Sequence, residues 1–181
     1  RAVIAGLSMG GYVALALWRR DPSLVRALVL ADTRAGSDDD AGRARRTEQI
    51  QFAGARGSGA MADLLMPGMI GKTTREQRPE IAERVRAMLA RATVPGTIGA
   101  LMAMRDRADS TPALSTISVP TLIVVGEEDV LTPVAESRAM HAAISGSRLE
   151  IVSGAGHLSN VERSAAFNHV LTEFLASIAY M

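Results

Sequence analysis

The sequence predicts an α/β fold in which a parallel sheet is flanked by helices. Three short β-type runs are apolar throughout, AVIA at 2–5, ALVLA at 27–31 and TLIVV at 121–125, and LEIV at 149–152 makes a fourth. Continuous apolar runs are typical of strands covered on both faces, as in parallel sheets. Helical patterns separate these runs, and the alternation indicates right-handed crossovers between parallel strands.

The helices are predicted from apolar side chains that recur every three to four residues. Residues 12–20 show this spacing, and Pro22 ends the pattern. Residues 134–145 and 161–178 behave likewise. In the last segment one stripe combines four large apolar side chains, namely Phe167, Leu171, Phe174 and Ile178. These segments are the expected crossover and terminal helices of the sheet.

Residues 36–118 differ from the rest, because they contain no convincing strand and repeat apolar residues at helical spacing. Breaks are predicted at Pro67-Gly68 and at Pro95-Gly96, which divides the segment into three to five helices. The chain is therefore expected to have a core at 1–35 and 119–181, with a helical cap inserted at 36–118. Helical insertions at the loop end of such a sheet usually lie over the ligand crevice.

Composition excludes several classes of function. The 181 residues are 48% hydrophobic, and 20 basic against 19 acidic residues leave a formal charge of +1. This balance favours neither nucleic acid nor an anionic membrane as partner. The absence of cysteine excludes disulfides and thiol catalysis, and three histidines without ligand spacing predict no metal; no cofactor is expected. Apolar runs are far shorter than the roughly 18 residues of a membrane span, and the expected location is the cytoplasm.

A candidate nucleophile follows the first run directly. G-L-S-M-G at 6–10 matches G-x-S-x-G, with a strand before it and a helix after it. This context predicts a sharp turn that lifts the hydroxyl of Ser8 clear of the sheet, with close contacts that glycine tolerates at the flanking positions. Met9 would donate its N–H to an oxyanion at the helix N-terminus. The alternative is that the glycines only form a tight turn.

A serine nucleophile needs a base, and histidine is the usual one. His141 and His169 both fall within predicted helices, where a surface or structural role is expected. His157 instead lies in a glycine-rich loop directly after the last strand. If the strands are parallel, this loop lies at the same end of the sheet as Ser8.

The base in turn needs a carboxylate to orient it. Asp129 follows the strand at 121–125 and is the favoured candidate, with Glu127 and Glu128 interpreted as solvated neighbours. Asp32 ends another strand and remains an alternative. The order Ser, Asp, His along the chain is the order of one triad fold, the α/β-hydrolases.

Four segments resemble the α/β-hydrolase superfamily, in particular 3-oxoadipate enol-lactone hydrolases and related small esterases. They are GLSMGGYVAL, LVLADTRAG, VPTLIVVGEEDVLTP and GSRLEIVSGAGHLSNVE. The resemblance implies an α/β-hydrolase fold with a catalytic triad of Ser8, Asp129 and His157. It implies a small-molecule ester or lactone as substrate. Related families with this triad cleave peptides, transfer acyl groups or act as peroxidases without a cofactor.

The resemblance also implies several strands before the nucleophile strand, and a loop there that supplies a second oxyanion donor. The chain therefore looks like the C-terminal two-thirds of such an enzyme. An upstream segment, or a second copy in a homodimer, is expected to pair with residues 2–5. A non-catalytic binding remnant of the fold is the alternative. An adaptable apolar cap lining is suggested by five methionines: Met61, Met66, Met69, Met102 and Met104.

Overall fold

A four-stranded parallel sheet organises the protein, which is represented by a computed structural model that describes residues 1–179. The strands lie in chain order across the sheet: β1 (Ala2–Leu7), β2 (Val25–Ala31), β3 (Thr121–Gly126) and β4 (Arg148–Val152). All three neighbouring pairs are parallel. The predicted parallel α/β architecture is confirmed, and each strand contains or overlaps its predicted run.

The strand register brings the carboxyl ends of the strands to one edge of the sheet. Ala31 of β2 pairs with both Leu7 of β1 and Val124 of β3, and Gly126 pairs with Val152 of β4. Residues that directly follow these strands therefore meet at the same edge. Chain segments more than 100 residues apart in sequence can contribute to one site there.

Eight helices are present among residues 1–179, together with two short 3₁₀ helices at Pro22–Leu24 and Thr111–Thr116. The helices are α1 (Met9–Arg20), α2 (Asp40–Met69), α3 (Lys72–Gln77), α4 (Pro79–Ala90), α5 (Val94–Arg105), α6 (Val134–Ala143), α7 (Ser159–Glu162) and α8 (Ser164–Ile178). The helix predicted over 161–178 is interrupted, because Arg163 has the non-helical angles φ −135° and ψ 53°.

Strand β2 shows why the strand sequences are apolar throughout. Leu28 and Leu30 point to one face and pack with α1 and α6, whereas Val29 points to the other face and packs with α8. Both sets are almost completely buried. Alternate side chains of a strand face opposite sides of a sheet, so the positions of β2 that are covered on both sides are apolar, and its one charged residue, Arg26, is exposed near the start of the strand.

Helices α2–α5 occupy the chain between β2 and β3, and we propose that they form the cap. The predicted break at Pro67-Gly68 lies just before the end of α2 at Met69, and α2 also has a kink at Gly57, where φ is 78°. Glycine adopts this angle without a Cβ penalty, whereas Pro67 lies in the last turn, where it removes only one helical hydrogen bond. Pro95 lies in the first turn of α5, a favourable position for proline.

Within residues 1–179, no single helix is long and apolar enough to cross a membrane. Helices α4 and α5 meet that length and composition only as a pair, with a bend of 95° between them.

Candidate active site

Ser8 is the single residue between β1 and α1, and its backbone is strained. Its φ of 53° and ψ of −115° lie outside the regions that side-chain-bearing residues prefer, at a cost of roughly 1–3 kcal/mol. Surrounding hydrogen bonds hold it: its N–H donates to Ala31 O at 2.8 Å, and its carbonyl accepts from Gly11 N and Thr33 Oγ1 at 2.9 and 2.8 Å. The Ser8 side chain makes no capping bond to α1, so its hydroxyl is available elsewhere.

The glycines around Ser8 are not equivalent. A Cβ at Gly6 would lie 2.2 Å from the carbonyl oxygen of Gly10, and one at Gly11 would lie 2.4 Å from Thr33 Oγ1. A Cβ at Gly10 would meet nothing within 4 Å among the described residues. The sequence motif predicted close contacts at both of its flanking glycines. In the described chain, Gly6 has such contacts and Gly10 does not.

We expect Gly6→Ala to lower the free energy of unfolding by about 3 kcal/mol or more, because the new methyl group would overlap backbone atoms that cannot move aside easily. Gly10→Ala is the matched control. It should be neutral or stabilising by up to about 1 kcal/mol, since alanine favours the helix. Urea denaturation of both variants is the measurement, and equal midpoints would contradict the contact geometry.

His157 lies in the loop after β4 and connects two other segments. Its Nε2 lies 2.7 Å from Ser8 Oγ, and its Nδ1 lies 2.8 Å from Asp129 Oδ2. The residue is 3% exposed, so solvent competes little for these bonds. The other histidines are on the surface: His141 bonds to Ser147, and His169 pairs with an acidic residue of its own helix, α8.

Asp129 is held in the turn after β3 by four hydrogen bonds. Its Oδ1 accepts from the N–H groups of Leu131 and Thr132 at 2.8 and 2.9 Å, and its Oδ2 accepts from Thr132 Oγ1 at 2.7 Å in addition to His157. Burial alone would raise the pKa of this carboxyl. The hydrogen bonds from His157 and Thr132 and the charge of His157 outweigh burial and lower it. The structure thus favours an ionised Asp129.

Thr132 is a part of the site that the sequence analysis did not identify. Its hydroxyl donates to Asp129 and lies 3.3 Å from His157 Nδ1, in a fully buried position. An aspartate followed by a threonine three residues later is a frequent turn pattern, in which the carboxylate accepts backbone N–H groups. That pattern was the available signal for Thr132.

Asp32, the alternative carboxylate, is directed elsewhere. It is fully buried at the end of β2, where φ is 46°. Its Oδ1 accepts from Gly126 N at 2.9 Å, and its Oδ2 accepts from the N–H and hydroxyl of Ser159 at 3.1 and 2.6 Å. In the described chain it is Asp129, and not Asp32, that contacts His157. Asp32 instead joins β2, β3 and α7 beneath the site.

Burial raises the pKa of Asp32 to about 7 from an ordinary value of 3.8, because it outweighs the hydrogen bonds from Ser159 and Gly126. As the pH rises from about 4 to 7, the unfolded chain releases this proton more readily than the folded chain. The Asp32 contribution to stability therefore falls across that window by up to roughly 4 kcal/mol.

Asp32→Asn cannot ionise, so its free energy of unfolding relative to the parent should rise between pH 4 and 7 and level off above pH 8. Urea denaturation of both proteins across this pH range is the measurement. Parallel curves for the two proteins would show that the Asp32 carboxyl is not perturbed by burial.

Met9 is the first residue of α1, so its N–H has no partner within the helix. This N–H group is adjacent to Ser8 at the positive end of the helix dipole. No group of three or more histidine, aspartate or glutamate side chains within residues 1–179 is arranged to hold a metal ion.

A parallel sheet with a strained serine between strand and helix, and a histidine and a carboxylate on the following loops, defines the α/β-hydrolase class. The chain matches the model of the Alpha/beta hydrolase family over residues 1–170, and it belongs to that family.

Known relatives agree with the predicted resemblance. The chain is 31% identical to 3-oxoadipate enol-lactonase 2 of Acinetobacter baylyi over 173 residues, which cover 94% of this chain and 62% of the relative. A malate-bound thermophilic esterase from Thermogutta terrifontis superposes with a TM-score of 0.95 at 33% identity, covering 98% of this chain and 65% of that chain. The enol-lactonase from Burkholderia xenovorans superposes with a TM-score of 0.87 at 28% identity, covering 97% of this chain and 66% of that chain. The chain thus spans less than two thirds of each relative.

Proposed function

We propose that the protein is a serine hydrolase that cleaves a carboxylic ester or a lactone through an acyl-enzyme. The observation that carries the proposal is the hydrogen-bonded chain from Ser8 Oγ through the buried His157 to the buried Asp129, with distances of 2.7 and 2.8 Å. The relatives support the substrate class, since their names describe enol-lactonases and an esterase.

In the first step Ser8 Oγ attacks the substrate carbonyl while His157 Nε2 accepts the hydroxyl proton. The existing 2.7 Å contact means that this transfer needs no rearrangement of either side chain. The carbonyl oxygen becomes negatively charged. The N–H of Met9 and the N-terminal dipole of α1 stabilise that charge.

Asp129 accepts a hydrogen bond from the Nδ1–H of His157, which fixes the tautomer whose Nε2 is free to act as the base. Once His157 becomes positively charged, the ionised carboxylate stabilises it at 2.8 Å. The lowered pKa of Asp129 matters here, because a protonated carboxyl would lose this electrostatic effect. Thr132 and Leu131 hold the carboxylate in place.

The tetrahedral intermediate collapses when His157 returns its proton to the leaving oxygen. With an ester the alcohol then departs, whereas with a lactone the opened ring remains part of the acyl group on Ser8. Water, deprotonated by His157, attacks the acyl-enzyme in the second half of the reaction; His157 then returns the proton to Ser8 Oγ as the carboxylic acid is released.

Apolar surface near the site suits an apolar part of the substrate. Met66 and Met69 of α2 pack in one cluster with Leu7 and Leu158, the neighbours of Ser8 and His157. Deeper in the insertion, a cavity of about 240 Å³ between α2, α4 and α5 is lined by mostly apolar residues, including Met61 and Met104. Of the five predicted methionines, Met102 is exposed.

A fluorophosphonate probe tests the assignment directly. We expect one adduct, mapped by peptide mass spectrometry to Ser8, and no adduct in His157→Ala, because serine alone is a weak nucleophile. His141→Ala is the matched control and should label like the parent, since His141 is exposed and bonds only locally to Ser147. Absence of an adduct on Ser8 in the parent would instead favour a binding module with this fold.

A further inference from the structure

Glu162 is a buried carboxylate next to the site that the mechanism above does not use. It ends α7, is 0% exposed, and accepts three hydrogen bonds from backbone N–H groups. Its Oε2 accepts from Gly71 at 2.8 Å, and its Oε1 accepts from Gly156 and Leu158 at 2.9 and 3.2 Å. Burying a carboxylate is costly, and several directed N–H groups offset that cost.

The three amides belong to two distant parts of the chain. Gly71 lies between α2 and α3 in the inserted helical segment, 91 residues from Glu162 in sequence. Gly156 and Leu158 are the residues on either side of His157. One carboxylate therefore restrains the backbone on both sides of the histidine and ties it to the insertion.

The two backbones joined by Glu162 are in direct contact. A Cβ at Gly156 would lie 2.2 Å from the nitrogen of Gly71, and a Cβ at Gly71 would lie 2.9 Å from the nitrogen of Gly156. On its other side, Gly156 packs so closely on β3 that a Cβ at Gly126 would lie 2.0 Å from its oxygen. The backbone at Gly156 is thus packed between β3 and the insertion at Gly71.

A second carboxylate ties the acid loop to the same segment. Glu128, the neighbour of Asp129, accepts from the Thr73 N–H at 2.8 Å and also from the Thr73 hydroxyl. Its own N–H donates to Ala155 O at 2.7 Å. The start of α3 is therefore linked both to the loop that carries Asp129 and to the loop that carries His157.

We propose that Glu162 is a positioning residue that sets the orientation of His157 and couples it to the inserted helices at Gly71. This inference rests on the proposed role of His157 as the base. If the insertion moves at Gly71, the Glu162 carboxylate and the Gly71–Gly156 backbone contact transmit the movement to His157. His157 is therefore aligned with Ser8 and Asp129 only while the insertion keeps its position against the histidine loop.

Glu162→Gln tests the proposal, because the amide keeps the size of the side chain but presents an NH₂ group to at least one of the backbone donors. We expect kcat for p-nitrophenyl butyrate, per site titrated with fluorophosphonate, to fall at least about tenfold, with KM within about threefold. Glu127→Gln is the matched control, since Glu127 also accepts a loop N–H, from Gly154, but is exposed and does not contact Gly71. Its kcat should stay within about twofold of the parent.

Amide hydrogen exchange in Ser8→Ala separates this inference from the proposed function, because it needs no catalysis. In that background the amides of Gly71, Gly156 and Leu158 should be protected to a similar degree, and Glu162→Gln should accelerate all three at least about tenfold. If Gly71 exchanges far faster than the other two, or if Glu162→Gln changes neither exchange nor kcat, the positioning role is overturned. If Glu162→Gln does not fold, the relative exchange rates of the three amides in Ser8→Ala still test the positioning role. Continued hydrolysis by Ser8→Ala would overturn the proposed function alone.

Discussion

Ser8→Ala is expected to reduce kcat for p-nitrophenyl butyrate hydrolysis by roughly 10⁴- to 10⁶-fold, the scale on which serine hydrolases lose activity when the nucleophile is removed. The physical reason is that no other group replaces the covalent step. Ser8 Oγ is the oxygen in contact with His157 Nε2, at 2.7 Å. The N–H of Met9 and the imidazole of His157 remain in the variant, so any residual rate measures what is left without the nucleophile.

The matched control is Ser118→Ala, which removes the same hydroxyl from an exposed position. Its kcat and its urea midpoint should equal those of the parent. Circular dichroism of Ser8→Ala should show an intact fold. Hydrolysis by Ser8→Ala at the parental rate would rule out Ser8 as the nucleophile and support a binding role for the fold.

Asp129→Asn should lower kcat on the order of 10⁴-fold, with a smaller effect on KM. The amide cannot provide the negative charge that stabilises protonated His157, and it favours the wrong tautomer of the imidazole. The hydrogen bonds from Leu131 and Thr132 hold the side chain in one orientation, so the group facing Nδ1 is well defined. Steady-state kinetics at pH 7 to 8 is the measurement.

Asp32→Asn provides the comparison for Asp129→Asn, because both carboxylates are buried and both follow strands at the same edge of the sheet. Asp32 bonds to Gly126 and Ser159 and not to His157. The kcat of Asp32→Asn should therefore stay within about tenfold of the parent. A large loss of kcat in Asp32→Asn together with a small loss in Asp129→Asn would show that Asp32, and not Asp129, is the carboxylate that acts with His157.

Much of the sheet could be predicted because its signals are local. Each strand is an apolar run bounded by turn residues, and each crossover helix repeats apolar residues at its own period. The differences lie within the helices. Helix α2 bends at Gly57, a kink that was not predicted, and the last predicted helix breaks at Arg163, so that α7 and α8 are separate helices.

The candidate site was predictable to the extent that each residue carries its own context. Ser8 lies in a recognisable turn, and His157 and Asp129 each follow a strand. Thr132 was missed although its bond to Asp129 spans only three residues. Glu162 was missed because folding determines its partners, which lie as far as 91 positions away. The sequence of α7 contains no pattern that predicts the contact between Glu162 and Gly71.

The sequence by itself determined the class of fold, the strands and the candidate residues Ser8, Asp129 and His157, because these depend on patterns within a few neighbouring positions. Only the tertiary structure decided which carboxylate contacts His157. Asp32 and Asp129 both follow buried strands, so the sequence favoured Asp129 but left Asp32 open as an alternative. The register of β2, β3 and β4 directs Asp32 beneath the site and Asp129 to His157 Nδ1, since hydrogen bonds form only where folding brings donor and acceptor within about 3 Å.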